Sequence, residues 1–143
     1  YRAMDGTWYN ARFNLGFVGN ALIGKEWKVG AETKNKVLMT GMRYSMMGGQ
    51  WRTPIDLEAS RAAGTTKEHG APMSVRGDPI GKLDVVLAYR VGRKKVSHEF
   101  KADVQNALNM QTPVYYYYNG RRDRLESVSQ LAILPVMQYT LRF

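Results

Sequence analysis

The sequence predicts an all-β fold: an antiparallel segment of β-barrel wall with about five strands. Three observations carry that expectation. Side chains sort by parity over long stretches, the two-residue repeat of a pleated strand rather than the 3.6-residue repeat of a helix. Short and long connections alternate between the runs, which soluble sandwiches do not do as a rule. The polar faces carry charges at successive positions, and no stretch reads as a helix that would cover a sheet.

The first run holds one phase from Tyr9 through Ala11, Phe13, Leu15, Phe17, Ala21, Ile23, Trp27 and Val29. Asn10, Arg12, Asn14, Asn20, Glu26 and Lys28 lie opposite, and only Lys25 breaks the apolar side. A spanning strand needs about 9 to 11 residues, so this run either projects beyond a bilayer or bends near Gly16 or Gly19. After a turn over 30–35 comes a weaker run over 36–46, with Leu38, Met42 and Tyr44 against Arg43 and Ser45. The third run sets Leu83, Val85, Leu87, Tyr89 and Val91 against Asp84, Ala88 and Arg90. Gly92-Arg93-Lys94-Lys95 then turns it into the fourth, over 97–109, as a hairpin. There Phe100, Ala102, Val104 and Leu108 oppose Glu99, Lys101, Asp103 and Gln105. The fifth run closes the chain with Ile133, Met137, Tyr139, Leu141 and Phe143 against Gln138, Thr140 and Arg142.

Composition removes several classes. The 143 residues carry 21 Lys plus Arg against 12 Asp plus Glu, a formal charge of +9, yet 44% are apolar and 11% aromatic, too sticky for a disordered tail. Without cysteine there is no disulfide scaffold or Cys-based zinc site, and His69 and His98 alone cannot make a multi-histidine centre. The longest apolar runs fall far short of the roughly 20 residues of a membrane-crossing helix. Spanning strands are only half apolar and escape that test. A chain that starts at Tyr1, with no basic-then-apolar leader, reads as cut at its front.

The connections over 30–35 and 92–95 are short, whereas those over about 47–79 and 110–132 are long. Outer-membrane barrels have short periplasmic turns and long extracellular loops. Five strands cannot close, and an open edge in hydrocarbon leaves amides and carbonyls unpaired at several kcal/mol each, so further strands must come from elsewhere. With the carboxyl end in the periplasm, an odd set places Tyr1 outside, as expected for the closing segment of something longer. A soluble antiparallel domain, the commoner case, also buries one face, so period two alone does not choose core over lipid.

The stretch Phe100-Lys101-Ala102-Asp103-Val104-Gln105-Asn106-Ala107-Leu108-Asn109 resembles the penultimate strand of TonB-dependent outer-membrane receptors, which ends in an Asp-x-Gln-Asn-x-x-Asn pattern. Gly24-Lys25-Glu26-Trp27-Lys28-Val29-Gly30, then Gly48-Gly49-Gln50 with Thr53-Pro54-Ile55-Asp56, and Leu134-Pro135-Val136 through Tyr139-x-Leu141-x-Phe143 are similar to segments of the same family. The likeness spans nearly the whole chain, specific in combination and weak motif by motif. It implies that residues 1–143 are the carboxy-terminal part of a plugged, roughly 22-stranded barrel in the bacterial outer membrane. That barrel would import a scarce nutrient on energy relayed through TonB. No plug and no TonB box lie within these residues. The partners so implied are the remaining strands and amino-terminal plug of the same protein, outer-membrane lipid and lipopolysaccharide, TonB through parts absent here, and a surface lipoprotein.

On that reading Leu83, Val85, Leu87, Phe100 and Val104 face lipid, and Asp84, Arg90, Glu99, Lys101, Asp103 and Arg142 line the lumen. Tyr139, Leu141 and Phe143 resemble the carboxy-terminal barrel-assembly signal, with which Arg142 is compatible. Tyr115, Tyr116, Tyr117 and Tyr118 read as an aromatic belt or extended strand before a ligand-stacking surface. Asn119-Gly120 marks a turn, so the second long loop rises as a ribbon and returns through Arg121, Arg122 and Arg124. A solvated basic loop is the first account of those arginines, a grip on lipopolysaccharide phosphates or an anionic ligand the second.

Two other readings stay open. A soluble basic β-barrel binding single-stranded nucleic acid would put aromatics and cations on one face, whereas here parity separates them; no nucleic-acid partner is expected. A complete small barrel of eight strands would need three more from the long loops, against which stand Pro54, Pro72, Pro79 and the small-residue stretch over 59–66. No enzyme and no cofactor are expected. Glu99 and Asp103 stand about 13 Å apart by strand rise, too far to work on one bond. By phase His98 is a lipid-boundary residue and His69 a solvated one, and Gly48-Gly49 is loop punctuation.

Overall fold

A computed structural model describes residues 1–4, 6–31 and 35–143. The elements run β1 (Val18–Lys28), β2 (Lys36–Met47), β3 (Trp51–Arg52), β4 (Ile55–Asp56), α1 (Leu57–Ala63), β5 (Lys67–Glu68), β6 (Val75–Arg76), β7 (Ile80–Gly92), β8 (Ser97–Gln105), β9 (Pro113–Asn119), β10 (Arg124–Ser129) and β11 (Leu134–Arg142). The chain is all-β with antiparallel sheets, and it divides into two compact units. One comprises Tyr1–Val18, Met46–Ile80 and Gln111–Gln130; the other comprises Gly19–Ser45, Gly81–Met110 and Leu131–Phe143.

The second unit is a five-stranded sheet in the order β1-β2-β7-β8-β11, so sheet neighbours follow one another along the chain as in a meander. Its strands have 11, 12, 13, 9 and 9 residues. Register follows the parity of the sequence. Val85 faces Val104, Leu87 faces Ala102 and Tyr89 faces Phe100, while Val86, Ala88 and Arg90 face Asp103, Lys101 and Glu99. Across the next pair Met137, Tyr139 and Leu141 oppose Ala102, Phe100 and His98. Apolar positions therefore share one side of the sheet and charged positions the other. The β7–β8 turn is tight, with the Arg93 amide donating to the Val96 carbonyl at 2.7 Å. The turn expected over 30–35 falls partly on residues 32–34, outside the described residues.

One open choice is decided and one expectation needs correction. Of the two readings of the run from Tyr9, the break near Gly16 is the one found, and the strand starts only at Val18. Residues 9–17 turn instead, through an Asn14 amide bond to Ala11 and a left-handed Gly16 (φ 76°). The carbonyls of Arg12 and Phe17 accept from Trp51 and Gly48, and the Asn14 carbonyl accepts from the Trp51 indole at 3.0 Å. A helix is also present where none was expected. Asp56 caps α1 by accepting from the Ala59 amide at 2.9 Å, and Gly64 ends it in the left-handed conformation at φ 66°. Both caps are written in the sequence, but a seven-residue helix is too short to show a helical period.

The first unit also holds the ribbons β3/β6 and β4/β5 and the hairpin β9/β10, in which Asn119 pairs with Arg124 and Tyr117 with Glu126. Ser60 is fully buried: its hydroxyl donates to the Asp56 carbonyl and accepts the Lys67 amide at 2.9 Å, tying α1 to β5. Gly49 lies against backbone, where an added Cβ would clash with the Gly77 carbonyl oxygen.

Among the described residues, glycines aside, the buried side chains are mostly polar: Thr53, Ser60, Asp84 and Asn106 against one hydrophobic side chain, Ala88. Leu87, Phe100, Tyr139 and Met137 are 49%, 55%, 53% and 82% exposed on the apolar side of the sheet.

Candidate functional site

The charged side of the sheet is a ladder of ion pairs. Asp84, buried on β7, accepts from Arg43 on β2 at 2.5 and 3.1 Å and lies 3.3 Å from Lys82. Arg90 holds Glu99 at 2.8 Å, with Arg142 of β11 at 3.9 Å from the same carboxylate, and Lys101 stands 3.6 Å from Asp103. All six residues predicted as lumen-facing thus lie on one side of the sheet. The five predicted as lipid-facing lie on the other, where the Phe100 and Tyr139 rings sit 4.9 Å apart. Of the predicted assembly signal, Tyr139 and Leu141 belong to that apolar side, and Phe143 follows the end of β11, fully exposed. His98 pairs its Nδ1 with the Tyr139 hydroxyl at 2.8 Å.

The Asp103-x-Gln105-Asn106-x-x-Asn109 motif has a local physical basis. β8 ends at Gln105, and Asn106 and Asn109 both take positive φ, 51° and 52°, which asparagine tolerates better than most residues. The Asn106 side chain donates to the Met110 and Leu131 carbonyls at 2.9 and 2.7 Å and accepts the Met110 amide at 3.0 Å. Its own amide donates to Asp84 at 3.1 Å, and Asn109 accepts the Ile133 amide at 3.2 Å. One buried side chain therefore joins the end of β8 to the chain entering β11.

The chain matches no family model, no curated protein and no solved structure.

In the first unit the four tyrosines form β9, with the Tyr115 and Tyr117 rings stacked at 6.2 Å. The ribbon expected after them is present, and its arginines are largely engaged. Glu126 accepts from Asn119 at 2.7 Å, Arg122 at 2.8 Å and Arg124 at 3.0 Å. Those donors, Asn119 first, hold its carboxyl down at about 2. Asp123 is likewise lowered, by Arg61 at 2.8 Å and then by the Tyr118 hydroxyl. Arg52 lies 4.2 Å over the Tyr116 ring.

Lys82 and Arg52 are polar residues the sequence reading did not single out, and to Arg43 and Asn106, which it named, it gave no partner. Arg43 was visible by parity, but its partner Asp84 lies 41 residues away and depends on a register no local pattern states. Among the described residues no cluster of three His, Asp or Glu could hold a metal, and no helix is long and apolar enough to cross a membrane.

Proposed function

We propose that this chain supplies the last five strands of a TonB-dependent outer-membrane transporter, a plugged barrel of roughly 22 strands that imports a nutrient. The observation that carries the reading is the sheet's division into an exposed apolar side and an ion-paired side. In water a contiguous apolar surface of this kind seeks a partner, whereas acyl chains solvate it directly. On the opposite side Arg43–Asp84, Arg90–Glu99 and Lys101–Asp103 neutralise one another within the sheet, which suits an enclosed aqueous space. Strands of 9 to 13 residues have the length to span. The sheet order leaves β1 and β11 as edges, which in lipid require neighbouring strands. The paired asparagines closing β8 make the family-like motif a working junction.

A nucleic-acid site is disfavoured because Tyr89, Phe100 and Tyr139 lie opposite the cations. Single-strand affinity that collapsed with rising salt would argue for it. The deciding experiment is fractionation of the full-length protein: recovery with the outer membrane, extraction only by detergent, and heat-modifiable gel migration are expected. A detergent-free soluble monomer overturns the proposal.

A further inference from the structure

We propose that the first unit binds a small organic carboxylate, gripped by Arg52 and Arg12. A cavity of about 110 Å³ lies wholly within this unit, lined by Arg12, Gln50, Arg52, Thr53, Met73 and Tyr116 among others. Arg52 is the decisive residue. Its guanidinium rests on Tyr116, and its Nε is shut off from water without a hydrogen-bond partner. A buried donor left unmade costs free energy, which is recovered when the side chain shifts to bring the donor to an acceptor in the cavity. Arg12 contributes a second cation: its Nε donates to Gln50 at 3.2 Å, leaving the two amino groups of its fork.

Among the described residues neither arginine pairs with a carboxylate, whereas Arg61, Arg122 and Arg124 of the same unit each do. Glu68 and Asp78 also line the cavity, but they and Arg12 are exposed, so solvent screens all three alike, while the half-buried Arg52 is screened less. The interior therefore favours an anion. A carboxylate in the cavity meets the Arg52 guanidinium as a charge-assisted pair, and the stack on Tyr116 restricts the side chain beforehand, which lowers the entropy lost on binding. Met73, Ile55 and Val114 supply apolar lining for the body of the ligand. The site does not depend on the membrane reading: a soluble protein with this grip would keep the inference and lose the transporter.

The test is calorimetric titration of the full-length protein, in detergent or, should it prove soluble, in plain buffer, with benzoate and with benzamide. Benzoate is expected to bind saturably and benzamide not to bind. Arg52→Gln should weaken benzoate by about tenfold or more, the exchange of a charge-assisted pair for a neutral one. Arg121→Gln, which removes an equal charge outside the cavity, should leave it unchanged. Absent benzoate binding, equal binding of benzamide, or equal loss in both variants overturns the proposal. Circular dichroism checks folding; should Arg52→Gln unfold, the benzoate-to-benzamide comparison and Arg12→Gln decide.

Discussion

Asn106 shows how much one side chain does in a fold with little apolar core. It is 3% exposed, sits at positive φ and makes three side-chain hydrogen bonds to backbone groups on two segments. Replacing it with alanine strands those partners and adds left-handed strain, an expected loss of about 2–4 kcal/mol. Asn106→Gly removes the strain but restores no bond, so its urea midpoint should fall between wild type and alanine. A glycine variant as stable as the parent would show that the backbone conformation alone matters. Gly49→Ala is a second case: a methyl group cannot be placed against the Gly77 carbonyl, so the segment must move, and faster proteolysis within 46–80 is the readout.

Secondary-structure elements of the first unit depend on single polar groups. α1 has seven residues, too few to stand by propensity, so its caps decide it. Asp56→Ala should cost about 1 kcal/mol through the lost bond to the Ala59 amide, read as a lower thermal midpoint. The β9–β10 hairpin has a defined pH response. Glu126 titrates at about 2 in the folded hairpin against an ordinary 4.5, so it binds fewer protons folded than unfolded. Its contribution is therefore complete above about 4.5 and is lost as pH falls through about 2. Amide exchange of residues 113–129 should quicken across that window, more than the amide chemistry alone requires, and Glu126→Gln should remove the excess.

For the molecule as a whole the question is what solvates the apolar side of the sheet. Leu87→Arg puts a charge at the middle of that side, on a residue 49% exposed. In a bilayer the expected cost is about 2–4 kcal/mol, measured as reduced folding into lipid vesicles. On a water-facing surface the same change would be neutral, so the variant separates the two environments. Lys101→Leu on the opposite side should be tolerated far better in lipid, because it removes only a half-exposed pair with Asp103.

The two sides of the sheet were legible because alternation is local: a pleated backbone sends successive side chains opposite ways whatever lies beside it. Leu83, Val85, Leu87, Phe100 and Val104 could thus be separated from Asp84, Glu99, Lys101 and Asp103 by counting. The hairpin at Asn119-Gly120 was legible from local turn chemistry, although its loop covers 120–123 and Asp123 is the residue that takes positive φ. Pairings between distant segments decided the rest. The run from Tyr9 has strand parity, yet Trp51 and Gly48 capture its carbonyls and leave it a turn. Arg43 finds Asp84, and Arg52 finds Tyr116 64 positions on, only once strands and loops are assembled. Periodicity states which way a side chain points, and chain folding alone states what it meets there.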